Sequence, residues 1–175
     1  MPRISYAQEG TEAEGATEVY ANLKAGFGMV PNLVKLVGHS GPVTQAMGTV
    51  LDVYFNRLAL DARLREIAYL TVTRLNECPY CTGHHTMFAQ KAGMSEEEMA
   101  LLGESGLSSP LFTPAEKAVI RFALETTKHV KASDESLMAL KKAFTLPQVV
   151  EIAFVVASAN FIQRIGKNFD AELEM

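Results

Sequence analysis

Residues 76 to 88 read N-E-C-P-Y-C-T-G-H-H-T-M-F, and they hold both cysteines of the chain, Cys78 and Cys81, with two of its four histidines, His84 and His85. Pro79 suits the first turn of a helix, where its missing N–H leaves no hydrogen bond unmade. Cys78 then falls at or next to the N-cap. Offsets of three and four residues place Cys78, Cys81 and His85 on one helical face. His84 is turned about 100° away and points elsewhere. The free N–H groups and the dipole at a helix start favour an anion, so a thiol there ionises more readily than a free one. Two such thiols can close and reopen a disulfide by attack of one and resolution by the other. His85 is placed to take a proton from Cys81.

Glu66 is the remaining candidate. It stands in the first turns of the stretch ARLREIAYLTVTRLN, which Asp61 precedes and which carries only Arg74 as a charge from Ile67 to Leu75. A carboxylate desolvated in such a helix takes or gives a proton near neutral pH. A turn near Asn76 would fold the next helix back and bring Glu66 towards Cys81.

The elements that must hold these groups read as helices. Leu64, Ile67, Ala68, Thr71, Val72 and Leu75 recur at helical spacing. Ser95 with Glu98, and Thr113 with Pro114 and Glu116, spell capping boxes. Ser133 opens a shorter helix, and Thr145 with Gln148 opens PQVVEIAFVVASANFIQRI. Upstream, helices are expected at about 12–25 and 42–57, with GFGMVPNL as a connector. Strand signals are scarce: the chain has no Asn-Gly or Asp-Gly pair and no long period-2 run. Two helices apolar nearly all round call for burial by other helices. The fold class is all-α, one helical bundle over residues 1–175. A weak internal repeat, with Glu66 to Asn76 resembling Glu151 to Asn160, raises a duplicated helical unit as an alternative origin for the bundle.

Composition narrows the classes. Hydrophobic residues make up 48% of the 175, typical of a globular chain rather than a disordered one. The net charge is −4 with no basic run, so the electrostatic footprint of a nucleic-acid binder is missing. The N-terminus, MPRISYAQEGTEAEG, is acidic without the apolar run of a secretory signal. The longest apolar stretch, IAFVVASANFI, is short for a bilayer span. A cytoplasmic location is expected, and no nucleic-acid or membrane partner. In a reducing cytosol a lone C-x-x-C reads as redox or metal chemistry rather than as a staple. No glycine-rich phosphate loop calls for an organic cofactor. His39 and His129 carry no motif and read as surface residues. Met87, Met94, Met99 and Met138 read as core or loop fillers.

The spaced set Glu66, eleven residues, Cys78-Pro-Tyr-Cys81, three residues, His85 closely resembles the E-x11-C-x2-C-x3-H signature of the AhpD-like, carboxymuconolactone decarboxylase-type family. VPNL, REIAYL, HTMFAQKAGMS and LPQVVEIAF extend the resemblance over roughly residues 15–168, and it is nearest the peroxidase-related branch. The resemblance implies an AhpD-like helical fold in a homo-oligomer, dimer, trimer or hexamer. It implies reduction of small hydroperoxides, with Cys81 as the peroxidatic thiolate and Cys78 resolving it to a redox-active disulfide. Glu66 would draw the proton of Cys81 through His85, and an external thiol or a lipoyl-bearing protein would supply electrons. No further cofactor is implied. Well-studied members carry a histidine just before the second cysteine, where this chain has Tyr80. Tyr80 and His84 are therefore supporting candidates. The helix start by itself favours Cys78 as the more acidic thiol, whereas the family mechanism favours Cys81.

Two alternatives use the same residues. Cys78, Cys81, one of His84 or His85, and Glu66 could bind zinc. Alternatively the cysteine pair could be a redox-sensing disulfide switch without peroxidase turnover.

Overall fold

The computed structural model describes residues 1–174. Among them every regular element is a helix, so the all-α class read from the sequence is the class observed. In chain order the helices are α1 (Thr17–Phe27), α2 (Asn32–Val37), α3 (Gly41–Asp52), α4 (Ala62–Asn76), α5 (Pro79–Lys91), α6 (Glu96–Leu101), α7 (Glu104–Ser108), α8 (Pro114–His129), α9 (Asp134–Ala143) and α10 (Leu146–Asn168). A π-helical turn, Val53–Arg57, follows α3.

The chain falls into two compact units, Met1–Leu58 with the segment starting at Arg164, and Ala59–Gln163. In the first, Tyr20, Leu23, Leu33, Val34, Leu36 and Met47 form the core. The Tyr20 hydroxyl donates to the carbonyl of Ala7 at 2.8 Å. A Cβ at position 38 would collide with that hydroxyl, which is why Gly38 stands there.

The second unit is organised around α4, whose residues Glu66 to Thr73 are all buried. It packs against α8 and α5. The caps read from the sequence are formed. Asp61 accepts the N–H of Arg63, and both capping boxes, Ser95 with Glu98 and Thr113 with Glu116, close in each direction. The two box glutamates also converge on one cation: Arg63 Nε meets Glu116 at 2.7 Å, and its Nη2 meets Glu98. The start of α4 is thereby tied to the starts of α6 and α8, one turn before Glu66.

The structure departs from the sequence reading in several places. The first helix begins at Thr17 rather than near residue 12, because Gly10 and Gly15 both take positive φ and turn the chain there. The helix expected to residue 57 ends at Asp52 and continues as the π-helical turn. Asn32 onward, read as part of a connector, starts α2 behind Pro31. The five-residue α7 carries no cap in its sequence to announce it. Met94 and Met99 are buried, but Met87 and Met138 are 50% and 64% exposed on helix surfaces and fill nothing. The apolar stretch read as too short for a bilayer belongs to the 23-residue α10, which by length and composition would suffice to span one. Half of its apolar window is buried within the protein, as in a core helix. The burial expected for both apolar helices holds for α4; α10 leaves Leu146, Val150, Ala157 and Phe161 exposed along one side.

Candidate functional site

Helix α4 ends in an αL turn. Glu77 takes φ 49° and its N–H returns to the carbonyl of Thr73. The reversal seats Cys78 as the N-cap of α5, with Pro79 in the first turn. The Cys78 sulfur accepts the N–H of Cys81 at 3.4 Å, as a capping side chain does. Thr82 adds a second tie, its hydroxyl donating to the Cys78 carbonyl at 3.0 Å. Cys78 and Cys81 are joined as a disulfide with Cα atoms 5.4 Å apart, and both are buried. The disulfide thus lies at the start of α5.

One turn beyond Cys81 on α5, His85 is buried and turns to α4. Its Nδ1 meets Glu66 Oε2 at 2.7 Å. With Nδ1–H donating, the carboxylate fixes the tautomer and orientation of the imidazole. Glu66, 4% exposed, is the desolvated acid its surroundings in the sequence suggested. The four principal candidates therefore lie on two packed helices, two of them in direct contact and two covalently joined.

The supporting candidates are arranged otherwise. Tyr80 is buried and His84 half-buried, and their rings meet edge to face with centroids 4.7 Å apart. His39 and His129 are exposed, as read.

Two functional candidates, Tyr69 and Gln163, escaped the sequence reading. Tyr69 lies flat against the His85 imidazole, centroids 3.4 Å apart and planes 10° from parallel. Phe88 meets the same imidazole edge to face at 5.5 Å. Burial holds the Tyr69 hydroxyl well above the ordinary phenol range, the Glu66 charge adds to that, and a hydrogen bond with the Gln163 side chain pulls the other way. Tyr69 is therefore a neutral phenol at physiological pH. Gln163 is itself fully buried. Its Nε2 donates to Thr73 Oγ1 at 2.7 Å, and its Oε1 accepts from Asn76 Nδ2 at 2.9 Å. Asn76 also donates to Asn160 at 3.1 Å, so the two asparagines that end the internal repeat touch. A signal for both residues existed. Tyr69 stands three places after Glu66, on the same face. Asn160 and Gln163 are polar interruptions, three apart, in an otherwise apolar helix.

Of the residues the zinc alternative would use, Glu66 and His85 contact each other and the cysteines are joined; among the described residues no three His, Cys, Asp or Glu side chains gather as a metal site.

Residues 44–125 match the carboxymuconolactone decarboxylase family, and that segment contains Glu66, Cys78, Cys81 and His85. The uncharacterized protein YdfG of Bacillus subtilis (strain 168) is 24% identical over 122 residues, 66% of this chain and 80% of YdfG. The fold is that of the AhpD core of an uncharacterized peroxidase-related protein from Ralstonia eutropha JMP134, with a TM-score of 0.82 at 18% identity over 99% of this chain and 92% of that one. It is equally similar to a variant of the debrominase Bmp8 in complex with 2,3,4-tribromopyrrole, with a TM-score of 0.80 at 17% identity over 98% and 91% of the two chains. The family resemblance read from the sequence is met over residues 44–125, and the fold resemblance over nearly the whole chain. One fold here accompanies more than one activity.

Proposed function

We propose that this protein is a cytoplasmic thiol-dependent peroxidase that reduces hydroperoxides through Cys78 and Cys81. The observation that carries the reading is the buried Glu66–His85 contact, one helical turn from Cys81. In the reduced state His85 Nε2 takes the Cys81 proton while Glu66 stabilises the imidazolium that forms. The Cys81 thiolate attacks the distal oxygen of ROOH. The O–O bond breaks, Cys81 becomes a sulfenic acid, and the leaving alkoxide takes its proton from His85 to depart as ROH. Cys78 then gives up its thiol proton and attacks the Cys81 sulfur; the S–O bond breaks and the sulfenic hydroxyl leaves with a proton as water, giving the disulfide. A dithiol donor, such as a lipoyl-bearing protein, exchanges with that disulfide and restores both thiols, itself oxidised. The chain is proposed to work as a homo-oligomer, a reading supported by the apolar side that α10 leaves exposed.

The test is consumption of cumene hydroperoxide with dihydrolipoamide as donor, by wild type, Cys78→Ser, Cys81→Ser and Glu66→Gln. Thiols are counted after one equivalent of peroxide, and 2,3,4-tribromopyrrole serves as a rival acceptor because a debrominase shares the fold. Turnover of peroxide with loss of two thiols, abolished in Cys81→Ser, supports the reading. Thiols that survive peroxide, or turnover of the bromopyrrole alone, would end it.

A further inference from the structure

The Glu66 carboxylate holds one nitrogen of the His85 ring, and packing restrains the plane of that ring from one side. The Tyr69 ring covers a whole face of His85 at 3.4 Å, within 10° of parallel. Phe88 closes on it edge-on. Tyr69 is anchored in turn at its far end by Gln163. Gln163 cannot rotate its amide without losing bonds, because its nitrogen serves Thr73 and its oxygen serves Asn76. Thr73 completes the circuit by donating its hydroxyl hydrogen to the Tyr69 carbonyl at 2.9 Å. Every member is buried or half-buried, and a polar network of this kind is retained at a cost unless it fixes something.

We propose that Tyr69 and Gln163 are positioning residues for His85, Tyr69 through its stacked ring and Gln163 by anchoring the Tyr69 hydroxyl. The pair holds the plane of the imidazole, one turn after Cys81 on α5. The electron-rich face of the phenol also favours the imidazolium that forms when Cys81 gives up its proton. The proposal rests on the proton-transfer role given to Glu66 and His85, but not on peroxide as the acceptor.

The experiment measures the alkylation rate of Cys81 by iodoacetamide in fully reduced Cys78→Ser protein, which reports thiolate formation without any peroxide. Tyr69→Phe keeps the stack and loses the anchor; Tyr69→Leu loses both. Alkylation is expected to slow about threefold in the first and about tenfold in the second, a coupling of ordinary size for side chains in contact. In a His85→Ala background neither substitution should slow it further. Tyr69→Phe is isosteric, so it carries the test even where Tyr69→Leu fails to fold. Rates equal to the parent in Tyr69→Phe and every soluble Tyr69→Leu sample would overturn the proposal. So would a slowing of the same size with and without His85. Peroxide turnover of the wild type, run in parallel, separates failure of this proposal from failure of the peroxidase reading: the alkylation cycle can succeed while peroxide is inert, and the reverse.

Discussion

Glu66 Oε2 and His85 Nδ1 meet at 2.7 Å although they lie nineteen positions apart in the chain. The contact depends on the αL turn at Glu77, which returns α5 along α4. In the proposed mechanism the carboxylate orients the imidazole, and the Cys81 thiol one turn away gives it a proton. Glu66→Gln keeps the shape and a hydrogen bond but removes the charge. Peroxide turnover is expected to fall about a hundredfold, the scale of a general base that has lost its charged partner. Steady-state assays of the folded variant check this, and undiminished turnover would remove Glu66 from the mechanism.

The order of the two cysteines is a separate question, because the helix start and the proton relay favour different thiols. Cys78 caps α5, whereas Cys81 is the one a turn from His85. If the relay decides, Cys78→Ser exposed to one equivalent of hydroperoxide stops at a sulfenic acid on Cys81. Mass spectrometry after dimedone trapping should then find a single adduct there. The adduct would appear on Cys78 in Cys81→Ser if the helix start decided instead.

Much of this site was legible in the chain because its logic is local. The spacing of Cys78, Cys81 and His85 puts them on one face of one helix, and Pro79 marks where that helix starts. Glu66 could be suspected from the apolar residues around it. Tyr69 and Gln163 were missed for a physical reason: their roles exist only once α4, α5 and α10 pack together, and nothing short-range in the sequence joins residue 69 to residue 163. The capping boxes were read correctly for the same local reason that α7, which has no cap, was not. The sharing of Arg63 by Glu98 and Glu116 is again a long-range fact, absent from any motif.

That shared cation makes the fold acid-sensitive. Hydrogen bonding to Arg63 holds the Glu98 carboxyl below its ordinary range despite some desolvation. For Glu116, burial pushes upward most strongly, but bonds from Thr113 and Arg63 outweigh it and the net shift is also downward. Both folded-state values lie below the ordinary 4.5, so the stability they contribute is complete above that pH and lost as pH falls through the folded-state values. Arg63→Met should lower stability at neutral pH by about 1 kcal/mol, since the cluster is partly open to solvent. It should also flatten the decline below pH 4.5. Urea denaturation at a series of pH values measures both. Parallel pH profiles for wild type and variant would show that the cluster is inert.

Glu77 carries the cost of the turn before Cys78. Its φ of 49° is one that side chains with a Cβ adopt at a penalty, and it is exposed, so its own contacts do little to offset that penalty. Glycine is the usual residue at such a C-cap. Glu77→Gly is expected to stabilise the protein by about 1 kcal/mol, seen as a higher urea midpoint at an unchanged slope. A lower midpoint would mean that the glutamate side chain holds the turn.

The exposed side of α10 is the place to test assembly. Leu146 is 65% exposed, Val150 67% and Phe161 41%, with the exposed Ala157 between them on the same face. Apolar residues at these intervals on a helix more than four turns long form a seam that a second helix can cover. In a homo-oligomer built on this seam, an aspartate at position 150 would have to be desolvated on association, at a cost of at least about 2 kcal/mol per contact. Val150→Asp should therefore reduce the mass in solution towards the 19.1 kDa of one chain, with no change in helical content. Light scattering coupled to size exclusion measures this directly. A wild type already at 19.1 kDa, or a variant that assembles as wild type does, would remove α10 as the assembly surface.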